Sequence, residues 1–261
     1  MRIITLLTDF GLEDGYVAAM KGVIAGIAPE AHLVDVTHLV PPQDVAFGRF
    51  RLLTAAAFFP PGTVHLAVVD PGVGTTRRAV AIRTASGSTF VGPDNGLLGG
   101  ALEVDAPLAA VELTAPRFWR TPSPSATFHG RDVFAPVAAH LARGVSLESL
   151  GSPIHPEGLV ELELSVWRIV PGGAEGAVQT VDRFGNLISS VPGTALAGRP
   201  VWSASIAGQT VAGHRTYGDV APGEPLALVG SHGFVEIAVR GGDARKTLGA
   251  RTGDRVEIRW T

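Results

Sequence analysis

The chain changes its hydrophobic rhythm once, and that change limits the folds open to it. Up to about residue 150, short continuous apolar runs alternate with stretches of helical spacing. Ile3–Leu7, His32–Val36, Val64–Val69, Val80–Arg83 and Thr89–Val91 read as strands. Gly15–Ile27, Val45–Phe59 and Val133–Ala142 read as helices, the first because Val17, Met20, Val23, Ile24 and Ile27 recur on one helical face. Apolar strands alternating with helices predict an α/β domain with a mainly parallel central sheet. Past about residue 158 the pattern is of strands alone: Leu159–Val170, Gly176–Val181, Leu187–Val191, Val201–Ile206, Glu224–Val229, Val235–Val239 and Arg255–Trp260. Gly, Pro, Asn and Asp turns separate them at short spacing, which predicts a smaller all-β, barrel-like domain. The Pro- and Gly-containing stretch Ser152–Gly173 marks the join, giving domains 1–165 and 166–261.

Composition narrows the chemistry. With no cysteine among 261 residues, disulfides, thiolate nucleophiles and Cys-ligated metals are excluded. A formal charge of −3 argues against a general nucleic-acid binder. No apolar run approaches the roughly 18 residues that span a bilayer, and the opening MRIITLLTDF lacks a signal-peptide core, so a cytoplasmic protein without membrane contact is expected. Nineteen of the 21 basic residues are arginines, which reads as compositional bias in the source.

Several polar segments sit where strands end, the edge at which parallel α/β sheets bind ligands. Thr8-Asp9-Phe10-Gly11 follows the first strand; Asp9 suits a ribose diol, or else Asp9 or Asp14 caps the next helix. Asp70-Pro71-Gly72-Val73-Gly74-Thr75-Thr76-Arg77-Arg78 follows the third strand, with glycines that allow close backbone approach between an acid and two arginines. It matches neither a P-loop nor GxGxxG. Pro93-Asp94-Asn95-Gly96 reads as a plain turn. His129-Gly130-Arg131-Asp132 opens a helix, Asp182-Arg183-Phe184-Gly185-Asn186 joins two β runs, and Ser231-His232-Gly233 lies in a third turn; each is open to a structural or a binding role. No metal-ligand spacing is present, although Asp35, His38, His65, Asp70 and His129 are candidates to converge in space.

In order along the chain, TDFG (8–11), DGYV (14–17), DVTH (35–38), FPPGTVHLAVVDPGVGTTRR (59–78), FVGPDNGLL (90–98), TFHGRDVFAP (127–136), VDRFGN (181–186) and GSHGFVEIAV (230–239) resemble the S-adenosylmethionine hydroxide adenosyltransferase family. The resemblance runs from about Ile3 to Gly249. It implies an N-terminal α/β domain, a C-terminal β-barrel, and a homotrimer whose sites join the N-domain of one subunit to the C-domain of the next. It implies attack of water on the ribose C5′ of S-adenosyl-L-methionine, giving adenosine and L-methionine without a cofactor or metal. Asp9 then matches the carboxylate on the ribose hydroxyls, with Asp14 grouped beside it as substrate-binding. Asp70, Arg77 and His129 match a catalytic triad around the water, Asp70 also touching substrate. Arg77, seven residues after Asp70, is chosen over Arg78. Asp182 matches a methionine-contacting acid, and Asn186, Ser231, Glu236 and Val239 match substrate contacts from the β domain. The related halogenases carry Tyr at the Asp70 position, Tyr-Ser at His129-Gly130, and a long insertion where this chain has only Thr84–Phe90 between Arg83 and Val91. These differences favour water over halide. A non-catalytic nucleoside binder and a metallophosphoesterase are the alternatives from other classes.

The residue types suit the reaction. Displacement at a sulfonium releases a neutral thioether, so no general acid is needed. Bulk water, with a pKa near ~15.7, needs help to act as hydroxide. His129 has the one side chain of the three whose ordinary pKa, about 6.5, suits a base. Arg77 cannot accept a proton and is assigned to hydroxide stabilisation, with Asp70 orienting it.

Overall fold

The computed structural model describes residues 2–261, which divide into two compact units, 2–162 and 163–261. In the first, β1 (Ile3–Thr8), α1 (Tyr16–Ile27), β2 (His32–Thr37), α2 (Val45–Ala56) and β3 (Val64–Val68) alternate as the sequence predicts. They are followed by β4 (Ala79–Thr84), β5 (Thr89–Pro93), α3 (Gly99–Val104), β6 (Pro107–Glu112), α4 (Ala135–Ala142) and β7 (Ser152–Ile154). β1 and β3 are central and apolar because both faces are covered. Ile4, Leu6, Val64 and Leu66 pack with Met20, Ile24, Val137 and Leu141 of α1 and α4 on one face. Leu7 and Ala67 pack with Leu52 of α2 and Ala101 of α3 on the other.

The sheet order is β2-β1-β3-β5-β4-β6-β7. Its first four strands are parallel, but the pairs β5-β4, β4-β6 and β6-β7 are antiparallel, so the sheet is mixed. The reason is chain length. Only Ala85–Ser88 separates β4 from β5, a hairpin's worth, whereas a parallel crossover needs a dozen residues or more. β6 and the short α3 have no counterpart in the sequence expectation, since neither carries a long hydrophobic period.

The second unit consists of β8 (Arg168–Val170), β9 (Gly173–Val181), β10 (Leu187–Pro192), β11 (Trp202–Ile206), β12 (Gln209–Ala212), β13 (Pro225–Val229), β14 (Phe234–Val239), α5 (Ala244–Leu248) and β15 (Arg255–Trp260). Strands run antiparallel in the order β12-β11-β15-β9-β10-β14-β13, with β8 beside β9. The end of β12 meets β13 through a Gly213–Ala227 bridge and a His214 N–H to Ala227 carbonyl bond of 2.7 Å, so the sheet curls into a nearly closed barrel. Val235, Ile237 and Val239 of β14 point into its core, and Glu236 and Ala238 lie on the outer face. The strand expected over Leu159–Val170 exists only at Arg168–Val170. Farther back, the Val160 N–H goes to the Asp94 carboxylate, so that stretch answers to a side chain instead of a strand ladder.

Candidate active site

Three loops of the first unit build one buried polar cluster. Asp70 lies just beyond β3, Arg77 just before β4, and His129 enters a π-helical turn, Gly130–Phe134, that leads into α4. The loop between Asp70 and Arg77 is tied to itself: Val73 N–H donates to Asp70 C=O at 3.2 Å and Thr75 Oγ1 to Gly72 C=O at 2.7 Å. Gly74 has φ of +77°, and a Cβ there would collide with the Ala126 carbonyl, so this loop lies directly against the segment leading to His129. That segment is fixed in turn by Asp132. Its fully buried carboxylate receives Arg120 at 2.5 Å, Arg131 at 2.7 Å and the Ser125 N–H at 2.9 Å.

Arg77 donates Nε–H to Asp70 Oδ1 at 3.0 Å and Nη2–H to Asp70 Oδ2, a forked ion pair. Nη2 also lies 3.1 Å from His129 Nδ1. A guanidinium has no acceptor, so Nδ1 presents its lone pair and the proton of neutral His129 sits on Nε2. Burial, and then the Arg77 charge, hold the His129 pKa below its ordinary value. Burial raises that of Asp70, against the pull of Arg77. The ion-paired side chains are only 8% and 6% exposed. Arg77 Nη1 is buried without a hydrogen-bond partner. A buried orphan donor costs about 1–3 kcal/mol, so this one marks a place shaped for an acceptor.

The Arg77-Arg78 doublet divides cleanly. Arg78 turns away, donating to Asp94 at 2.8 Å and to the Gly158 carbonyl at 2.5 Å. Asn95 donates to the Val69 carbonyl at 2.8 Å, so the Pro93–Gly96 segment serves the fold. Asp9 is half-buried, and its Oδ2 accepts the Gln43 N–H at 2.8 Å. Asp14 is exposed. Neither caps α1, whose N-cap is Gly15 without a side-chain bond. The rings of Phe10, Tyr16 and Phe128, with centroids 5.1–5.7 Å apart, join the Asp9 loop to the segment carrying His129. The candidate metal cluster does not form. His38 lies with Asp35, His65 bonds Thr5 and stacks on Phe90, and Asp70 meets His129 only across Arg77. Among the described residues no group of three or more His, Asp or Glu is placed to hold a metal.

In the second unit, Asp182 closes the β9–β10 turn. Its Oδ1 accepts the N–H groups of Phe184 and Asn186 and its Oδ2 the Asn186 side-chain amide, each at 2.9 Å. Gly185, at φ +85°, packs against the Asp243 carboxylate where a Cβ has no room. Glu236 is buried and accepts Tyr217 O–H at 2.5 Å, while His232 Nε2 lies 3.0 Å from its other oxygen. The Phe234 N–H reaches His232 Nδ1 at 3.2 Å, which puts the His232 proton on Nε2, facing Glu236. Burial and Glu236 raise the Tyr217 pKa. Ser231 is exposed at the turn between β13 and β14. The Val239 side chain packs in the barrel core, so only its backbone can meet a ligand. Tyr217, one of two tyrosines, sits in no sequence motif that would mark it.

Comparison with known proteins bears on both units. The pattern of the SAM hydroxide adenosyltransferase N-terminal domain matches residues 4–151, and that of its C-terminal domain matches residues 176–257. The chain belongs to the SAM hydroxide adenosyltransferase family. Within it, a protein of Salinispora tropica named (R)-S-adenosyl-L-methionine hydrolase is 48% identical, over 98% of this chain and 97% of its own. One of the same name from Thermus thermophilus is 46% identical over 99% and 100%. A fluorinase of Nocardia brasiliensis is 30% identical over 74% of this chain and 72% of its own. The crystal structure of an uncharacterized conserved protein from Thermotoga maritima superposes with a TM-score of 0.92, at 38% identity, covering 98% and 99% of the two chains. The Asp70–Arg77–His129 cluster and the Asp182–Asn186 turn thus lie within the two domains that define the family.

Proposed function

We propose that this chain hydrolyses S-adenosyl-L-methionine to adenosine and L-methionine. The observation that carries the proposal is the Asp70–Arg77–His129 cluster with its unpartnered buried Arg77 Nη1. Relatives nearly half identical over almost the whole chain bear this activity in their names, which supports the (R) sulfonium as substrate. In the reaction a water-derived oxygen forms the bond to C5′ and the C5′–S bond breaks. Sulfur keeps the electron pair as the neutral thioether of methionine, and the water proton leaves to solvent. That balance calls for no cofactor or metal.

We read His129 as a donor, where its ordinary pKa suggests a base. With Nδ1 occupied by Arg77, His129 offers Nε2–H, so it donates instead of accepting. Arg77 Nη1 and His129 Nε2–H then hold hydroxide as an acceptor, and Asp70 fixes the guanidinium. Such preorganised donors in a dry site are a strong means of stabilising charge. Asp70 and His129-Gly130, where the halogenases carry Tyr and Tyr-Ser, favour water over the halogenase reaction. Asp9 takes the ribose hydroxyls, with Asp14 beside it. Asn186 Oδ1, the Ser231 hydroxyl, Glu236 and the Val239 backbone take the remaining substrate contacts, and Asp182 faces the methionine part. We place the protein in the cytoplasm as a homotrimer. No helix among the described residues is long and apolar enough to cross a membrane.

Incubation in ¹⁸O-labelled water containing chloride tests this directly. The label is expected in the adenosine 5′-hydroxyl and not in methionine, with no 5′-chloro-5′-deoxyadenosine. Unlabelled adenosine, or the chlorinated nucleoside as main product, rules the reading out.

A further inference from the structure

The segment that follows β2 grips the β1–α1 loop on both sides of Asp9. His38, 3% exposed, places Nδ1 2.9 Å from Thr8 Oγ1. The same oxygen accepts the Phe10 N–H at 3.2 Å, so Thr8 is held from two sides. His38 Nε2 lies 3.1 Å from Asp35 Oδ1, and Asp35 Oδ2 receives Lys21 at 2.6 Å. The His38 main chain acts as well, its carbonyl accepting the Gly11 N–H at 2.8 Å. One buried residue therefore ties down positions 8 and 11, and Asp9 lies between them.

The third tie goes to the carboxylate itself. Gln43 donates its N–H to Asp9 Oδ2 at 2.8 Å, and it does so from a left-handed backbone with φ of +65°. Among the described residues only Gln43 and Ala207 adopt positive φ without being glycine. A side-chain-bearing residue holds that conformation only where its surroundings compel it, and such strain clusters at functional sites. Here it aims an N–H at one carboxylate oxygen and leaves the other for a ligand.

We infer that His38 and Gln43 are positioning residues that preset the Asp9 carboxylate for a vicinal diol, the ribose 2′- and 3′-hydroxyls. This deepens the adenosyl reading above and rests on it. The side chain of Gln43 plays no part; its backbone conformation does. Gln43→Gly therefore keeps both the N–H and the positive φ, whereas Gln43→Val resists that φ.

The test compares binding of adenosine and 2′,3′-dideoxyadenosine to the full chain by calorimetry, together with kinetics on S-adenosyl-L-methionine. His38→Ala and Gln43→Val are expected to weaken adenosine about 3–10-fold, the range of one lost hydrogen bond, and to raise KM similarly while kcat changes less. Dideoxyadenosine, lacking the diol, should bind all variants alike, and Gln43→Gly should match wild type. Parallel weakening of both nucleosides, or equal behaviour of Gln43→Gly and Gln43→Val, overturns the inference. Should His38→Ala fail to fold, the Gln43 pair decides alone. A wild-type chain that neither hydrolyses the sulfonium nor binds adenosine sinks the functional reading itself, an outcome distinct from the others.

Discussion

Arg77 directs Nε and Nη2 to Asp70, shares Nη2 with His129, and leaves Nη1 open within the protein. Lysine cannot reproduce this, because a compact ammonium lacks the planar fork. Arg77→Lys is expected to lower kcat about 10²–10³-fold, the usual loss when one preorganised donor is removed, with little change in the folded state. Single-turnover kinetics on the bound substrate measures it; a variant within tenfold of wild type contradicts the role. His129 adds a pH signature. Its working form is neutral, since a protonated ring loses the Nδ1 acceptor and repels Arg77. Burial and Arg77 hold its pKa below the ordinary value, so activity should persist above about 6.5 and fall only as pH drops through the lowered value. An acid limb of kcat centred above 6.5 would contradict the assigned proton positions.

Among the elements, β3 shows how burial becomes a pH response. All five residues of this strand are buried, including His65. Its ring bonds Thr5 Oγ1 at 2.9 Å, stacks 4.6 Å from Phe90 and meets the edge of Phe59. Burial lowers its pKa to about 4. Unfolded, the same side chain titrates near 6.5, so between about 4 and 6.5 the unfolded state binds more protons. Its contribution is therefore fully present above about 6.5 and is lost as pH falls toward 4, by up to about 3 kcal/mol. Urea unfolding at pH 7 and pH 4.5 should show this loss in the wild type and a smaller one in His65→Gln. Equal losses in both would show that His65 is not the source. β3 was fully legible in the sequence, being a run of apolar residues between a Pro-Gly turn and Asp70. The fate of its histidine was not, because what neutralises it lies on β1 and β5, 60 and 25 positions away.

For the whole molecule, the assigned residues fall into two sets. Asp9, Asp14, Asp70, Arg77 and His129 belong to the first unit, and Asp182, Asn186, Ser231, Glu236 and Val239 to the second. If neighbouring subunits of a trimer each supply one set, two defective chains can complement each other. We expect His129→Ala and the double variant Asp182→Ala, Asn186→Ala to be inactive alone, and mixed trimers to regain about a third of the sites. Co-expression followed by purification through two tags measures it. A mixture as inactive as its parents, in trimers shown to be mixed, excludes shared sites.

The sequence by itself determined the two-unit division, most strands and the family, because hydrophobic period and ordered local motifs are properties of neighbouring residues. It also placed Asp70 and His129 at element ends. Tertiary structure decided what depends on distant partners. It sent the Arg77 guanidinium to Asp70 and that of Arg78 to Asp94. It set the proton of His129, because a donor 52 positions away occupies one ring nitrogen. It kept the Asp35–His38 pair, His65 and the Asp70–Arg77–His129 cluster apart, so no metal group forms among the described residues, and it turned Asp9 to Gln43 instead of the start of α1. Spacing along a chain fixes which local structure forms, but the direction of a side chain and the state of its protons are set by what the fold brings against it.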